Sequence, residues 1–296
     1  MRILNIGSLN LDYVYRVDHI ILPGETEATH SREVFLGGKG INQSIALAKA
    51  GASVFHGGLI GPGGQPFLEA CREYGVDFRY IRSIDAPDGH TVIQIDRDGQ
   101  NSILLFGGTN RMLTREFVDS ILADFGAEDM LLLQNEVNLL PYIIDLAYER
   151  GMTVVLNPSP FNSLVQEADL SKVSLFLLNE IEGHQLTGFR SPEQILQTLR
   201  QRYPQARIVL TLGKDGAYYA DAAQTVFQPI FPVKAVDTTA AGDTFTGFFL
   251  ASLTEGIPVA QALHISAKAS SICVTRPGAV ASIPTKEEVL AALENE

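Results

Sequence analysis

The stretch MLLLQNEVNLLPYIIDLAYERGMTVVL, running from Met130 to Leu156, decides the fold class. Its ends, Met130–Gln134 and Thr153–Leu156, are apolar runs of strand length. Between them, Leu139–Arg150 places apolar residues at the three- and four-residue spacing of a helix with one buried face. The same alternation recurs outward in both directions. Strand-like runs stand at Ile3–Ile6, Ser53–Ile60, Leu175–Leu178 and Ile208–Leu212, and helical patterns at Asn42–Ala50, Pro66–Tyr74 and Pro192–Arg202. Such alternation predicts an α/β protein whose doubly wound, mostly parallel sheet is flanked by helices. From Asp243 onward helices dominate, the last opening at Thr285 with Glu288 placed for a capping box.

Two segments depart from this pattern. Leu11–Phe35 and His90–Phe106 alternate apolar and polar residues in extended runs, broken by Pro23-Gly24 and Asp98-Gly99, and read as antiparallel strand pairs. Neither fits a crossover helix, so both are expected to leave the main sheet as a small second sheet able to act as a lid. An antiparallel edge on the main sheet is the competing reading. The organisation expected is one α/β domain over residues 1–296, with a discontinuous lid from about 11–36 and 90–106.

Composition narrows the function classes. Hydrophobic residues make up 46% and charged residues 19% of the chain, values of a globular protein with a sizeable core. The 34 acidic residues outnumber the 22 Lys plus Arg, a net charge of −12 that argues against coating nucleic acid or an anionic membrane. Cys71 and Cys273 are too few for a disulfide scaffold, and no apolar run approaches the ~20 residues of a membrane-spanning helix. A cytoplasmic protein is expected, with a small molecule as partner.

The chemistry concentrates at Asp237-Thr238-Thr239-Ala240-Ala241-Gly242-Asp243, a small-residue loop that runs into the apolar helix pattern Thr244–Leu250. A helix starting there aims unpaired N–H groups and the positive end of its dipole at the preceding space, which suits a phosphate. Ala240, Ala241 and Gly242 leave room for an anion, and Asp243 stands beside it. As an isolated pair, Gly242 and Asp243 would read as a turn and a helix cap. A second segment, Gly37-Gly38-Lys39-Gly40-Ile41-Asn42-Gln43-Ser44, resembles an anion loop but lacks the Lys-Ser/Thr pair of a Walker P-loop. Lys39 and Asn42, three residues apart, share a helical face and can donate to a polyol. Asn179 and Glu182 share a face just beyond a strand. Their oxygens suit Mg²⁺ held through water, and a capping box has the same polarity. Thr211–Gly216 reads either as a hairpin turn or as a loop whose glycines let the backbone approach a flat or phosphorylated ligand.

These two long motifs, with Gly51 and Gly61 following the second, resemble the two signatures of the ribokinase family, the PfkB carbohydrate kinases. The likeness extends from Asn5 to about Pro284. The resemblance implies ATP-dependent phosphorylation of a sugar, with Asp243 as base and the amides of Ala240, Ala241 and Gly242 as anion hole. It implies a sugar site of Asn10, Asp12, Gly38, Lys39, Asn42, Glu136 and Asp243. On the nucleotide side it implies Asn179, Thr211, Gly213 and Gly216, with Mg²⁺ near Asn179 and Glu182. Potassium is implied near Asp237, Thr239, Arg276, Gly278 and Ser282, and a homodimer is expected through the lid.

One departure stands out. Family members often carry Gly-Asp-Asp after the third strand, whereas this chain reads Gly61-Pro62-Gly63-Gly64-Gln65-Pro66. A remodelled turn there bears on the rim of the sugar pocket rather than on phosphoryl transfer. Ribose leads among substrates because the whole sugar set matches ribokinases, and the carboxylates disfavour a phosphorylated sugar. Deoxyribose, fructose, ketodeoxygluconate and nucleosides remain as other acceptors. A non-catalytic sugar sensor is the rival of another class, opposed by the intact Asp243, Asn179 and Glu182.

Overall fold

Strands rich in branched aliphatics and buried on both faces read as near-continuous hydrophobic runs, and Met130–Gln134, with all five residues buried, has that form. Leu132 packs on one side of the sheet, while Leu131 and Leu133 pack on the other. Each such leucine, fully removed from water, contributes ~2 kcal/mol before entropy is counted. In the computed structural model, which describes residues 1–295, thirteen strands and ten α-helices build an α/β fold of two sheets.

In chain order the first part holds β1 (Ile3–Ile6), β2 (Asn10–Arg16), β3 (Ser31–Gly37), α1 (Lys39–Lys49), β4 (Val54–Ile60) and α2 (Gln65–Tyr74). Then come β5 (Asp77–Ser83), β6 (Gly89–Ile95), β7 (Asn101–Phe106), α3 (Arg115–Leu122), β8 (Met130–Gln134), α4 (Leu140–Glu149), β9 (Thr153–Asn157) and α5 (Ser163–Glu167). The rest comprises β10 (Leu175–Asn179), α6 (Glu180–Thr187), α7 (Pro192–Arg202), β11 (Arg207–Thr211), β12 (Ala217–Ala220) and β13 (Thr225–Gln228). It closes with α8 (Ala241–Thr254), α9 (Val259–Cys273) and α10 (Lys286–Glu294).

The main sheet has nine strands in the order β13-β12-β11-β10-β9-β8-β1-β4-β5, parallel from β11 through to β5. Its antiparallel edge is the β12–β13 hairpin, which the sequence pattern does not single out. The two alternating segments instead form a separate four-stranded sheet, β3-β2-β6-β7, with β2 and β6 parallel at its centre. Asp98-Gly99 closes the β6–β7 hairpin, where Asp96 and Gln100 pair. Pro23-Gly24 forms a tight turn, with Glu25 N donating to Leu22 O at 3.1 Å, but it lies within a longer connection and does not join the two strands directly. β2 stops at Arg16 and β3 starts at Ser31, because alternation alone does not tell a paired strand from an extended connection.

Helix α1 begins at Lys39, three residues before the apolar periodicity starts. Gly38, at φ 99°, turns the chain out of β3. Helix α8 then lies on α1 through Gly247. A Cβ there would sit 2.4 Å from that of Ala46, so the two helices approach more closely than side chains allow. Thr285 and Glu288 form the expected capping box at α10.

Candidate active site

Ala240 caps α8 with φ 59°, a left-handed conformation unusual for a residue bearing a Cβ. The first bond of the helix runs from Thr244 N to Ala240 O, so the amides of Gly242 and Asp243 lack an intrahelical acceptor. Ser270 on α9 donates to Ala241 O at 3.1 Å and ties this turn to the neighbouring helix. Asp243 is the third residue of α8 rather than its cap, and its carboxylate turns to α1. Asn42 Nδ2 donates to Oδ2 at 3.1 Å, and Gln43 Nε2 donates to Oδ1 at 2.8 Å. The close approach at Gly247, one turn on, brings these partners within reach.

On the side facing the second sheet lies a cavity of about 950 Å³ that gathers Asn10, Asp12, Gly38, Lys39, Asn42, Glu136 and Asp243. All seven residues of the expected sugar set are thus brought together. Asn10 and Asp12 project from β2 of the smaller sheet, not from the first strand, which ends at Ile6. Burial pushes the Asp12 carboxyl up to about 6 against the hydrogen bond from Thr91, and nearby Glu136 adds to the rise. Thr91 Oγ1 donates to Asp12 Oδ1 at 2.5 Å. Glu136 is pinned at Oε2 by the Ser8 hydroxyl and by Lys39 N at 2.9 Å. Desolvation would depress the Lys39 ammonium, but Asp243, Glu136 and Glu182 outweigh it and hold the group above its ordinary value. It stays charged.

The polarity of Asn10 is settled from behind. Leu9 N donates to Asn110 Oδ1 at 2.9 Å, so Asn110 Nδ2 is the donor to Asn10 Oδ1 at 2.7 Å, and Asn10 presents its NH₂ to the cavity. Asn42 is set the opposite way. Its NH₂ is spent on Asp243, and its buried Oδ1 has no partner within the protein. Ser8, Gln43, Thr91 and Asn110 escape sequence reasoning. Each acts through a residue far away in the chain, and none carries a spacing signal.

Beyond Asp243, a pocket of about 240 Å³ is lined by Lys39, Asn179, Glu182, Thr211, Ala240, Ala241, Gly242 and Asp243. A further pocket of about 330 Å³ continues past Thr211, Gly213 and Gly216 to Ile230, Phe231 and Val233, with Ala241, Gly242 and Phe245 shared between the two. The three spaces form one groove, because Lys39 and Asp243 belong to the first two. Thr211 and Ala217 pair across the β11–β12 turn, so the loop is a hairpin turn and also lines the groove.

Asn179 and Glu182 do form a capping box, with Asn179 N donating to Glu182 Oε2 at 2.9 Å and Asn179 Nδ2 to Oε1 at 3.2 Å. Both carboxylate oxygens are therefore engaged. This fits a magnesium ion reached through water better than one bound directly. Near the α8 loop, Asp237 Oδ1 and Oδ2 accept from Thr239 N and Gly278 N, each at 2.9 Å. Burial alone would raise this carboxyl, yet those bonds hold it below the ordinary value. Ser282 is fully buried with its hydroxyl on Ala279 O, while Arg276 turns its side chain to Glu288 at 2.9 Å. Only the backbone of Arg276 is left to face an ion.

The profile of the pfkB family carbohydrate kinases matches residues 2–286. A ribokinase of Haemophilus influenzae is 34% identical over 299 residues, covering 98% of this chain and 97% of its own. Among solved structures, a Thermotoga maritima ribokinase superposes with a TM-score of 0.89 at 32% identity over all of both chains. An Arabidopsis thaliana ribokinase complexed with ribose and ATP gives 0.86 at 28% identity, over 99% of this chain and 98% of that one. The chain belongs to the pfkB family of carbohydrate kinases and is an ATP-dependent sugar kinase.

Proposed function

We propose that this chain transfers the γ-phosphoryl group of ATP to the primary hydroxyl of D-ribose, giving ribose 5-phosphate and ADP. The observation that carries this reading is the place of Asp243, whose carboxylate borders both the sugar-side cavity and the pocket at the start of α8. Asp243 is the catalytic base. As the hydroxyl oxygen bonds to the γ-phosphorus, its proton passes to Asp243, and the bond from phosphorus to the bridging oxygen of ADP breaks. The amides of Gly242 and Asp243 face the charge that develops, while that of Ala241 is engaged by Thr238 O at 3.3 Å, and positioning with electrostatics carries most of the acceleration.

Asn10 and Lys39 donate to the sugar, while Asn42, Asp12 and Glu136 accept from its hydroxyls. A sugar that already carries a phosphate meets Asp12, Glu136 and Asp243 together and is rejected. Asn179, Thr211, Gly213 and Gly216 lie against ATP. Mg²⁺, held through water near Asn179 and Glu182, supplies neutralisation of the phosphate oxygens. The junction of Asp237 and Thr239 with Arg276, Gly278 and Ser282 takes potassium, which steadies the α8 loop.

The smaller sheet, about 11–36 and 90–106, acts as a lid, and its exposed Val34, Phe35, Ile103, Leu104, Leu105 and Phe106 pair with those of a second copy. Two buried free thiols and the use of ATP fit the cytoplasm, and among the described residues no helix is long and apolar enough to cross a membrane.

The reading is tested by ADP release across ribose, deoxyribose, fructose, ketodeoxygluconate and nucleosides, with and without potassium, for wild type and Asp243→Asn. Ribose is expected to be the preferred acceptor. The variant is expected to lose turnover by at least about a hundredfold while ATP affinity stays within about twofold. Full turnover in the variant would remove Asp243 as the base.

A further inference from the structure

Gln43 is fully buried and lines neither the sugar-side cavity nor the nucleotide pockets, yet its amide lies 2.8 Å from the carboxylate of Asp243. Its orientation follows from a chain of buried hydrogen bonds whose direction is set at each end by a backbone carbonyl. Asn157 Nδ2 donates to Leu177 O at 2.8 Å, and a carbonyl can only accept, so Asn157 Oδ1 is the end that faces Gln43. Gln43 Nε2 therefore donates both to Asn157 Oδ1 at 3.2 Å and to Asp243 Oδ1 at 2.8 Å.

At the other end, Asn5 Nδ2 donates to Gly40 O at 2.7 Å and to Ser44 Oγ at 2.9 Å, which leaves Asn5 Oδ1 to accept from Gln134 Nε2 at 3.1 Å. The same Gln134 NH₂ donates to Gln43 Oε1 at 2.6 Å. Ser44, already an acceptor, gives its proton to His56 Nδ1 at 2.8 Å. Burial pushes that imidazole down to about 4, so it is neutral and able to accept. A flipped Gln43 amide would place its oxygen against Asp243 and Asn157 Oδ1 and its NH₂ against that of Gln134. In a buried site such mismatches are costly.

We propose that Gln43 is a positioning residue for the base: locked as a donor by this amide chain, it holds Asp243 Oδ1 while Asn42 holds Oδ2. The carboxylate is thus held turned toward the sugar hydroxyl. This rests on the kinase reading above. Charge-assisted donors favour the ionised carboxylate, so removing one makes the group harder to ionise. The other charged groups around the carboxylate are Lys39 on α1, Glu182 on α6, Asp12 on β2, Glu136 after β8 and Asp237 before α8. They are the same in wild type and variants, so a difference between the profiles reports position 43.

The test is the pH dependence of kcat at saturating ribose and ATP, which is free of the effect of Asp12 on ribose binding, with ATP affinity and thermal midpoint as controls. In Gln43→Met, similar in length but without a donor, the acid limb is expected to move up by about one pH unit, with ATP affinity within about twofold of wild type. In Gln43→Glu, two carboxyls share one proton. The protonated partner donates to Asp243, so turnover near pH 6 is largely kept, and a new alkaline fall appears as the second proton leaves. An unmoved acid limb in the first variant together with no alkaline fall in the second would reduce Gln43 to a structural filler. Should Gln43→Met not fold, the alkaline fall in Gln43→Glu decides alone, present in support or absent against. Wild-type protein that releases no ADP with any acceptor of the panel overturns the kinase reading itself, and the role of Gln43 with it.

Discussion

Asp12 lines the sugar-side cavity at a cost in stability. Its carboxyl titrates near 6 in the folded protein against an ordinary 3.8, so ionisation is less favourable in the fold than in the unfolded chain. The cost is fully present above about pH 6 and disappears as pH falls through 3.8. Asp12→Asn, which keeps an acceptor for Thr91, is therefore expected to be more stable than wild type at pH 8, by roughly 2 kcal/mol. At pH 5 the gain should shrink, as urea unfolding at the two pH values would register. The same substitution raises the KM for ribose at pH 8, and the wild-type KM rises as pH drops below 6, a dependence absent from the variant. Lys39 and Asn42 are legible in the sequence because their three-residue spacing puts both on one helical face, whereas Asn10 and Asp12 rest on the family resemblance alone. Asn110 and Ser8 are not, since their work is to orient residues some 100 and 128 positions distant.

Two elements, α1 and α8, bring Asn42 and Gln43 onto Asp243, and their contact turns on Gly247. Gly247→Ala pushes a methyl against Ala46 and the backbone at Leu47, so the helices must part. Overpacking of this kind costs ~1–3 kcal/mol. Because Asp243 lies one turn away, kcat is expected to fall further than the KM for ATP rises, a split that steady-state kinetics resolves. Thr285→Ala, which deletes the cap of α10 at a residue that lines none of the three spaces, should lower stability by about 1 kcal/mol and leave kcat unchanged. Elements with strong period were legible nearly to the residue, as at Pro192–Arg202 and Met130–Gln134. The start of α1 was not. What begins that helix early is a glycine-permitted turn packed on the β1 end, which apolar spacing does not encode.

At the scale of the molecule, the smaller sheet leaves Leu104 72% exposed in a row of apolar neighbours. Sedimentation of wild type is expected to give a dimer, and Leu104→Lys with Phe106→Lys a monomer with a raised KM for ribose. The second sheet could be anticipated because two alternating segments fitted no crossover. The β12–β13 edge could not, for its four-residue strands are too short to show a period. The cavity between the sheets holds about 950 Å³, far more than a five-carbon sugar fills. Water is itself a nucleophile, and a base at Asp243 would have no chemical means of preferring a sugar hydroxyl over it. On the proposed mechanism, how much ATP is hydrolysed to no purpose would therefore depend on how completely the acceptor's cavity excludes water.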